Sequence, residues 1–283
     1  MNYNSILNLI RVRDWSKNIL IFLPLIFSGN LFNTTHYNNL IAGFFTLSFA
    51  ASCIYILNDY IDIESDKKHP SKKYTKPFAS NQISLNFGLI IFVFLVIVLS
   101  LLIYKQDSLY LSIIFYLFIS FLYILFVKKL PFIELIFLSL GYVIRIDAGS
   151  KLIDVESSTL MLISTFFLGT FFIILKRLSE LNHDTNSKNY ETRRVLKYYN
   201  KKILKILSIL SMILVMLTLI IYVIIKNVLL TISIILFLVF LIYYYYKIRN
   251  TTVGENPINA ILENKILFFL SILILISSVV IYL

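Results

Sequence analysis

Nine separate apolar runs, most near the length a helix needs to cross a bilayer, constrain this chain more than anything else in it. A spanning helix takes roughly 20 apolar residues, with about 17 to 25 as the working range. The runs fall at 18–32, 39–58, 84–104, 108–127, 132–149, 157–176, 203–225, 228–246 and 265–283. Hydrocarbon offers no water to pair with backbone N–H and C=O groups, so each run must satisfy its own and folds as a helix. The expected fold is therefore all-α: a polytopic membrane protein of nine transmembrane helices forming one domain over 1–283. The first run is the shortest and is interrupted by Pro24.

Orientation follows from the basic residues, because cytoplasmic loops carry the excess of Lys and Arg. If all nine runs cross, 22 of the 26 Lys and Arg lie on one side, only Lys105, Lys151 and Lys226 lie on the other, and Arg145 is left inside the fifth run. This places the N-terminus in the cytoplasm and the two longest loops, after the second and sixth runs, on the cytoplasmic face of the cell membrane. Dropping the first run would move Arg11, Arg13 and Lys17 to the poor side. Ser28-Gly29-Asn30 is not a convincing cleavage site, so the run reads as a retained helix. The net charge of +11 is spread between runs instead of gathered in one patch, which argues against a nucleic-acid partner. A lone Cys53 rules out a disulfide framework.

At the end of the second run stands Asn58-Asp59-Tyr60-Ile61-Asp62-Ile63-Glu64-Ser65-Asp66. If the helix continues, Asn58, Asp59, Asp62 and Asp66 share one face. Like charges stacked this way repel unless a cation sits among them. Such oxygen-rich sets suit Mg²⁺, which takes carboxylates together with water and substrate phosphates. The sixth run ends with Lys176, Arg177, Glu180 and Asp184 at the same spacing, a face of two cations and two acids. An ordinary i,i+4 pair between Lys176 and Glu180 would explain part of it. Lys72 and Lys76 follow the first acidic face and are candidates to hold phosphate as mobile point charges. Arg145, within an apolar run, is a functional candidate because a charge there is costly unless it faces a polar cavity.

The pattern Asn58-Asp-x-x-Asp62-x-x-x-Asp66 resembles the first motif of the UbiA superfamily of intramembrane prenyltransferases. Within it, Arg11-x-x-x-Trp15-x-Lys17-Asn18, Asp66-x-x-His69-Pro70-x-Lys72 and Lys176-Arg177-x-x-Glu180-Leu181 are similar to the decaprenyl-phosphate phosphoribosyltransferase branch. Lys76-Pro77 departs from that branch, where an Arg-Pro is usual. The resemblance implies a nine-helix UbiA-like bundle and Mg²⁺ held by Asp59, Asp62 and Asp66 with Asn58 nearby. It also implies transfer of a 5-phosphoribosyl group from phosphoribosyl diphosphate to a polyprenyl phosphate. Glu180 and Asp184 would complete a second metal or sugar site, and Lys17, Lys72, Lys76, Lys176, Arg177 and Arg145 would bind phosphates. Two rivals remain: a prenyltransferase of the same fold acting on a prenyl diphosphate and an aromatic acceptor, and a transporter or lipid flippase using the acids as coupling sites.

Overall fold

The computed structural model describes residues 3–69, 72–186, 194–226 and 228–281, without the side chains of 183–186, 194, 226 and 255. Among the described residues there are helices and no strands. The α-helices are α1 (Tyr3–Leu9), α2 (Leu23–Phe27), α3 (Thr35–Ile61), α4 (Ile63–Lys68), α5 (Lys72–Thr75), α6 (Leu85–Lys105) and α7 (Tyr110–Leu125). Then come α8 (Ile133–Leu152), α9 (Thr159–Asn186), α10 (Lys201–Lys226), α11 (Thr231–Ile248), α12 (Pro257–Glu263) and α13 (Lys265–Val280). Six described helices are long and apolar enough to cross a membrane, or seven if α12 and α13, bent by 98°, make one broken span. Exposed apolar side chains such as Leu89, Ile90 and Phe94 on α6 and Ile224 and Ile232 further on suit a lipid surround.

Two of the nine expected spans take another form. The run at 18–32 is not a continuous α-helix: Val12–Phe22 winds as a 3₁₀ helix, and α2 follows with Pro24 in its first turn, where a missing N–H is tolerated. The run at 132–149 is helical, as α8, but Glu134, Arg145, Asp147 and Lys151 give it too much charge to count as a simple apolar span. At the other end, Asn264 caps α13 by accepting from the N–H groups of Ile266 and Leu267, which sets the bend after α12.

The chain divides into two compact units. The first comprises Met1–Leu25, Phe32–Leu125 and Ile144–Glu156. Here α3 packs against α6, α7 and the 3₁₀ segment, over a core of Leu9, Cys53, Ile56, Phe78, Ile83 and Leu95. One face of α3 carries Ser48, Ser52, Tyr55 and Asp59, and the 3₁₀ segment runs along it in the opposite direction. Asn18 donates to Ser48 Oγ at 2.9 Å, Trp15 Nε1 to Ser52 Oγ at 3.1 Å, and Arg11 meets Asp59. Ser52 in turn donates to the carbonyl of Ile10 at 2.7 Å. Runs of 3₁₀ helix beyond about four residues are uncommon; these tertiary bonds hold this one, which is 11 residues long. Gly149 lets α8 approach the segment so closely that a Cβ there would strike the carbonyl of Ile21.

The second unit comprises Ile26–Leu31, Phe126–Val143 and Ser157–Leu283. Its centre is α9 packed on α10, with α11 packed on α10 and α13. Phe171, Leu175, Leu178, Leu204, Phe240, Leu241 and Tyr244 fill the core. The turn after α11 is tied back to α9: Ser179 Oγ donates to the carbonyl of Thr251 at 2.7 Å and accepts from the N–H of Gly254 at 3.0 Å. A Cβ at Gly254 would collide with Ile248 and Ser179, so the turn lies directly against α9.

Candidate active site

In the first unit, α3 stops at Ile61 and Asp62 sits at the break, with φ −92° and ψ 4°, before α4 begins. The helix does not run on unbroken through Asp66, yet the acids keep a common side. Asp59 and Asp66 are buried and Asn58 and Asp62 are half-buried, whereas Glu64 and Ser65 are exposed. Asp62 accepts the N–H of Asp66 at 2.8 Å through its backbone carbonyl, which restarts the helical path across the break.

Cations from three places meet these acids. Asp59 Oδ1 takes Arg11 Nη2 at 2.5 Å and Lys76 Nζ at 2.8 Å, and Lys72 on α5 reaches Asp66 at 3.3 Å. The loop that carries Lys72 is shaped by His69, whose Nδ1 accepts the N–H of Lys72 at 3.2 Å. Asp59 Oδ2 is buried and has no hydrogen-bond partner among the described residues. Burial pulls the Arg11 guanidinium down, but Asp59, Tyr55 and Asp14 together outweigh this and leave it above its ordinary pKa. For Lys76 the balance goes the other way: burial and then the neighbouring Arg11 lower its pKa despite Asp59.

The second unit holds a separate charged cluster on α9. Arg177, fully buried, donates from Nε and Nη2 to the two oxygens of Glu134 at 2.7 and 2.9 Å. Its Nη1 reaches both oxygens of Glu180 at 3.0 and 2.8 Å. Tyr199 donates its hydroxyl to Glu134 Oε1 at 3.1 Å and accepts the N–H of Phe132 at 3.1 Å. Burial, then the Glu134 carboxylate, raise the Tyr199 pKa. Arg177 thus pairs with Glu180 at i,i+3. In this structure carboxylates of Glu134 and Glu180 engage the Arg177 guanidinium. Lys176 is half-buried on the same helix, and the side chain of Asp184 lies outside the described residues.

The remaining expected site residues have other settings. Arg145 is buried in the first unit, donating from Nε to Asn18 Oδ1 at 2.6 Å and stacking 5.1 Å from the ring centre of Tyr116. Lys17 pairs with Asp14 at 2.6 Å. Asp147, across the helix from Arg145, pairs with Lys151 at 2.7 Å. Residue-by-residue reading missed Arg11 and Glu134. Arg11 was visible only as a member of the Arg11…Asn18 motif. Glu134, an acid in the first turn of an apolar run, signalled that something must neutralise it there.

Among the described residues no three His, Cys, Asp or Glu side chains stand close enough to share one metal ion, so Asp59, Asp62 and Asp66 do not form a ready-made cage. What the cluster offers is one buried, unpartnered carboxylate oxygen on Asp59 in an all-oxygen donor set. That fits a hard divalent cation of the kind that takes one or two carboxylates and completes its shell from substrate phosphate and water.

The sequence profile of the UbiA prenyltransferase family matches residues 21–281, nearly the whole chain. The chain belongs to this family. Like other UbiA proteins it is membrane-embedded and multi-pass. Among its relatives are the decaprenyl-phosphate phosphoribosyltransferases of Corynebacterium glutamicum and Mycobacterium tuberculosis, each 27% identical over 183 residues. The matches cover 63% of this chain but only 55% and 60% of those relatives' lengths. A solved UbiA homolog from Archaeoglobus fulgidus, bound to GPP and Mg²⁺, shares the fold with a TM-score of 0.70 at 18% identity, over 98% of this chain and 99% of that one. The same protein bound to DMAPP and Mg²⁺ gives 0.68 at 17% identity, covering 98% of each chain. The UbiA-like fold is thereby established.

Proposed function

We propose that this UbiA protein transfers a 5-phosphoribosyl group from phosphoribosyl diphosphate to a polyprenyl phosphate, with Mg²⁺, at the cytoplasmic face of the cell membrane. The observation that carries this reading is the density of cations on the first acidic cluster: Arg11 and Lys76 on Asp59, and Lys72 on Asp66. A donor with phosphate at both ends of a sugar calls for more positive charge than a prenyl diphosphate does. The names of the mycobacterial and corynebacterial relatives support the same choice.

Asp59, Asp62 and Asp66, with Asn58 nearby, would hold Mg²⁺, which when bound neutralises the diphosphate leaving group. Lys72 and Lys76 meet the diphosphate oxygens where charge develops as the bond to the anomeric carbon breaks. A lipid phosphate oxygen forms the new bond at that carbon, and the diphosphate leaves with the bonding electrons. Glu180 and Asp184 serve a second metal or the sugar, with Arg177 fixing Glu180. Lys17, Lys176, Arg177 and Arg145 are further phosphate contacts in this scheme, and the spans surround the lipid tail. Catalysis rests on positioning and charge, with no protein nucleophile. The same reading adds the 18–32 run and α8 to the apolar helices, giving nine crossings, a cytoplasmic N-terminus and one domain over 1–283.

A second reading, transfer from a prenyl diphosphate to an aromatic acceptor, is favoured by the solved homologs that hold GPP or DMAPP with Mg²⁺. Purified protein given ribose-labelled phosphoribosyl diphosphate and polyprenyl phosphate separates the two. Metal-dependent label in the lipid fraction, lost in Asp62→Ala, is the expected result. Turnover of a prenyl diphosphate with an aromatic acid, and no labelled lipid, would replace the first reading with the second.

A further inference from the structure

Asp59 is unevenly served. Its Oδ1 carries two cations, Arg11 at 2.5 Å and Lys76 at 2.8 Å, while Oδ2 is buried with no hydrogen-bond partner among the described residues. Two positive groups on one oxygen repel each other, and a buried acceptor left without a donor is a cost that native structures rarely carry without cause. Arg11 is also held in the left-handed region, at φ 51° and ψ 51°, between α1 and the 3₁₀ segment. Non-glycine residues in that conformation concentrate at ligand clamps and switching elements. Its guanidinium lies 4.4 Å from the ring centre of Tyr55, one turn from Asp59 on the same face of α3. The aromatic face supports the cation without consuming its forked donors, which match phosphate oxygens in pairs.

These features describe a cation stored on a carboxylate. We propose that Arg11 is a diphosphate-binding residue, resting on Asp59 in the ligand-free protein and transferring to the diphosphate when Asp59 turns to a divalent cation. This rests on the reading of Asp59 as a metal-holding carboxylate. Arg11 leaves Asp59 because two positive charges cannot share it comfortably, and it stays near because the Tyr55 ring supports its guanidinium and its backbone is fixed at the start of the 3₁₀ segment. Divalent cation and diphosphate then help each other bind by the same factor in both directions. Neither alone relieves the crowding: the cation by itself strands Arg11, and the diphosphate by itself must compete with Asp59 for it.

The test uses the full chain in lipid nanodiscs, with Mn²⁺ read by electron paramagnetic resonance and inorganic pyrophosphate read by calorimetry. In the unsubstituted protein, pyrophosphate is expected to tighten Mn²⁺ binding about tenfold, the size of one charge-assisted contact. The decisive arm contains no metal. Asp59→Asn removes the carboxylate that detains Arg11, so pyrophosphate should bind that variant about tenfold more tightly than the unsubstituted protein. Adding Arg11→Gln to Asp59→Asn should erase the gain. No gain in Asp59→Asn, or a gain that persists in the double variant, overturns the proposal. Should Arg11→Gln fail to fold by circular dichroism, Arg11→Lys replaces it: an ammonium lacks the fork and should lose most of the gain, and full retention also overturns the proposal. Mn²⁺ binding unchanged in Asp59→Asn would sink the metal reading of Asp59 on its own, leaving the metal-free arm to decide Arg11.

Discussion

Arg177 and Glu134, 43 positions apart in the chain, face each other as fork to fork, Nε to Oε1 at 2.7 Å and Nη2 to Oε2 at 2.9 Å, with side-chain exposures of 1% and 0%. Removing two ions from water costs several kcal/mol each, and only geometry this good with the remaining donors also satisfied offsets it. Nη1 satisfies that condition on Glu180. The pair therefore works as a bracket that holds Arg177 against Glu180, and α8 contributes Glu134 to the second charged cluster.

Breaking the bracket from one side should be severe. Glu134→Ala leaves Arg177 buried against a missing partner, with an expected loss of about 3 to 5 kcal/mol. The double replacement Glu134→Leu with Arg177→Met should recover most of that stability in thermal unfolding while transferase turnover stays low, because Glu180 has lost its holder. Recovery of both together would mean that the bracket serves stability alone.

Tyr199 sets an alkaline limit. Its pKa in the folded protein lies above the ordinary tyrosine value of 10.0. Its neutral form therefore stabilises the fold fully below pH 10, and that contribution falls away as pH climbs past 10 towards the raised value. One proton changes stability by about 1.4 kcal/mol per pH unit in that window. The melting temperature of Tyr199→Phe should fall less steeply above pH 10 than that of the unsubstituted protein, and equal slopes would contradict this.

Gly149 lies directly against the backbone of Ile21. In Gly149→Ala the new Cβ meets the carbonyl of Ile21, and backbone cannot swing aside as a side chain can. Overpacking of this kind costs about 1 to 3 kcal/mol. A lowered melting temperature in detergent, accompanied by faster proteolysis near Ile21, is the expected outcome; an unchanged melting temperature would show that the segment gives way.

Lys72 tests the donor side. It reaches Asp66 while about a third exposed, so Lys72→Met should leave the melting temperature almost unmoved. Its effect should appear as a KM for the diphosphate donor raised about tenfold, with a smaller change in kcat, since a charge-assisted contact to bound phosphate is lost. Unchanged kinetics would remove Lys72 from the site.

Much of the architecture was readable because lipid imposes one rule on every exposed position. The runs at 84–104 and 203–225 became α6 at Leu85–Lys105 and α10 at Lys201–Lys226. The run at 18–32 takes a different winding for a reason equally physical. Its apolar residues belong partly to a 3₁₀ path that starts at Val12, and a pattern tuned to the α-helical repeat does not register that path or the buried Asn18 on it. In the same way, Asp59, Asp66, Lys72 and Lys76 could be grouped from local spacing. The bonds from Arg11 to Asp59 and from Arg177 to Glu134 cross 48 and 43 residues, and no local pattern encodes such distances.

The 3₁₀ winding also settles a problem of gauge. Arg11 and Asn18 are seven residues apart, yet their partners Asp59 and Ser48 are eleven apart on α3. Eleven α-helical residues rise about 16 Å and seven only about 10 Å, whereas seven residues of 3₁₀ helix rise about 14 Å, which brings the two strips within reach of an arginine side chain. The segment thus serves as a vernier scale laid against α3: its coarser divisions let a short stretch of chain register both ends of a longer one.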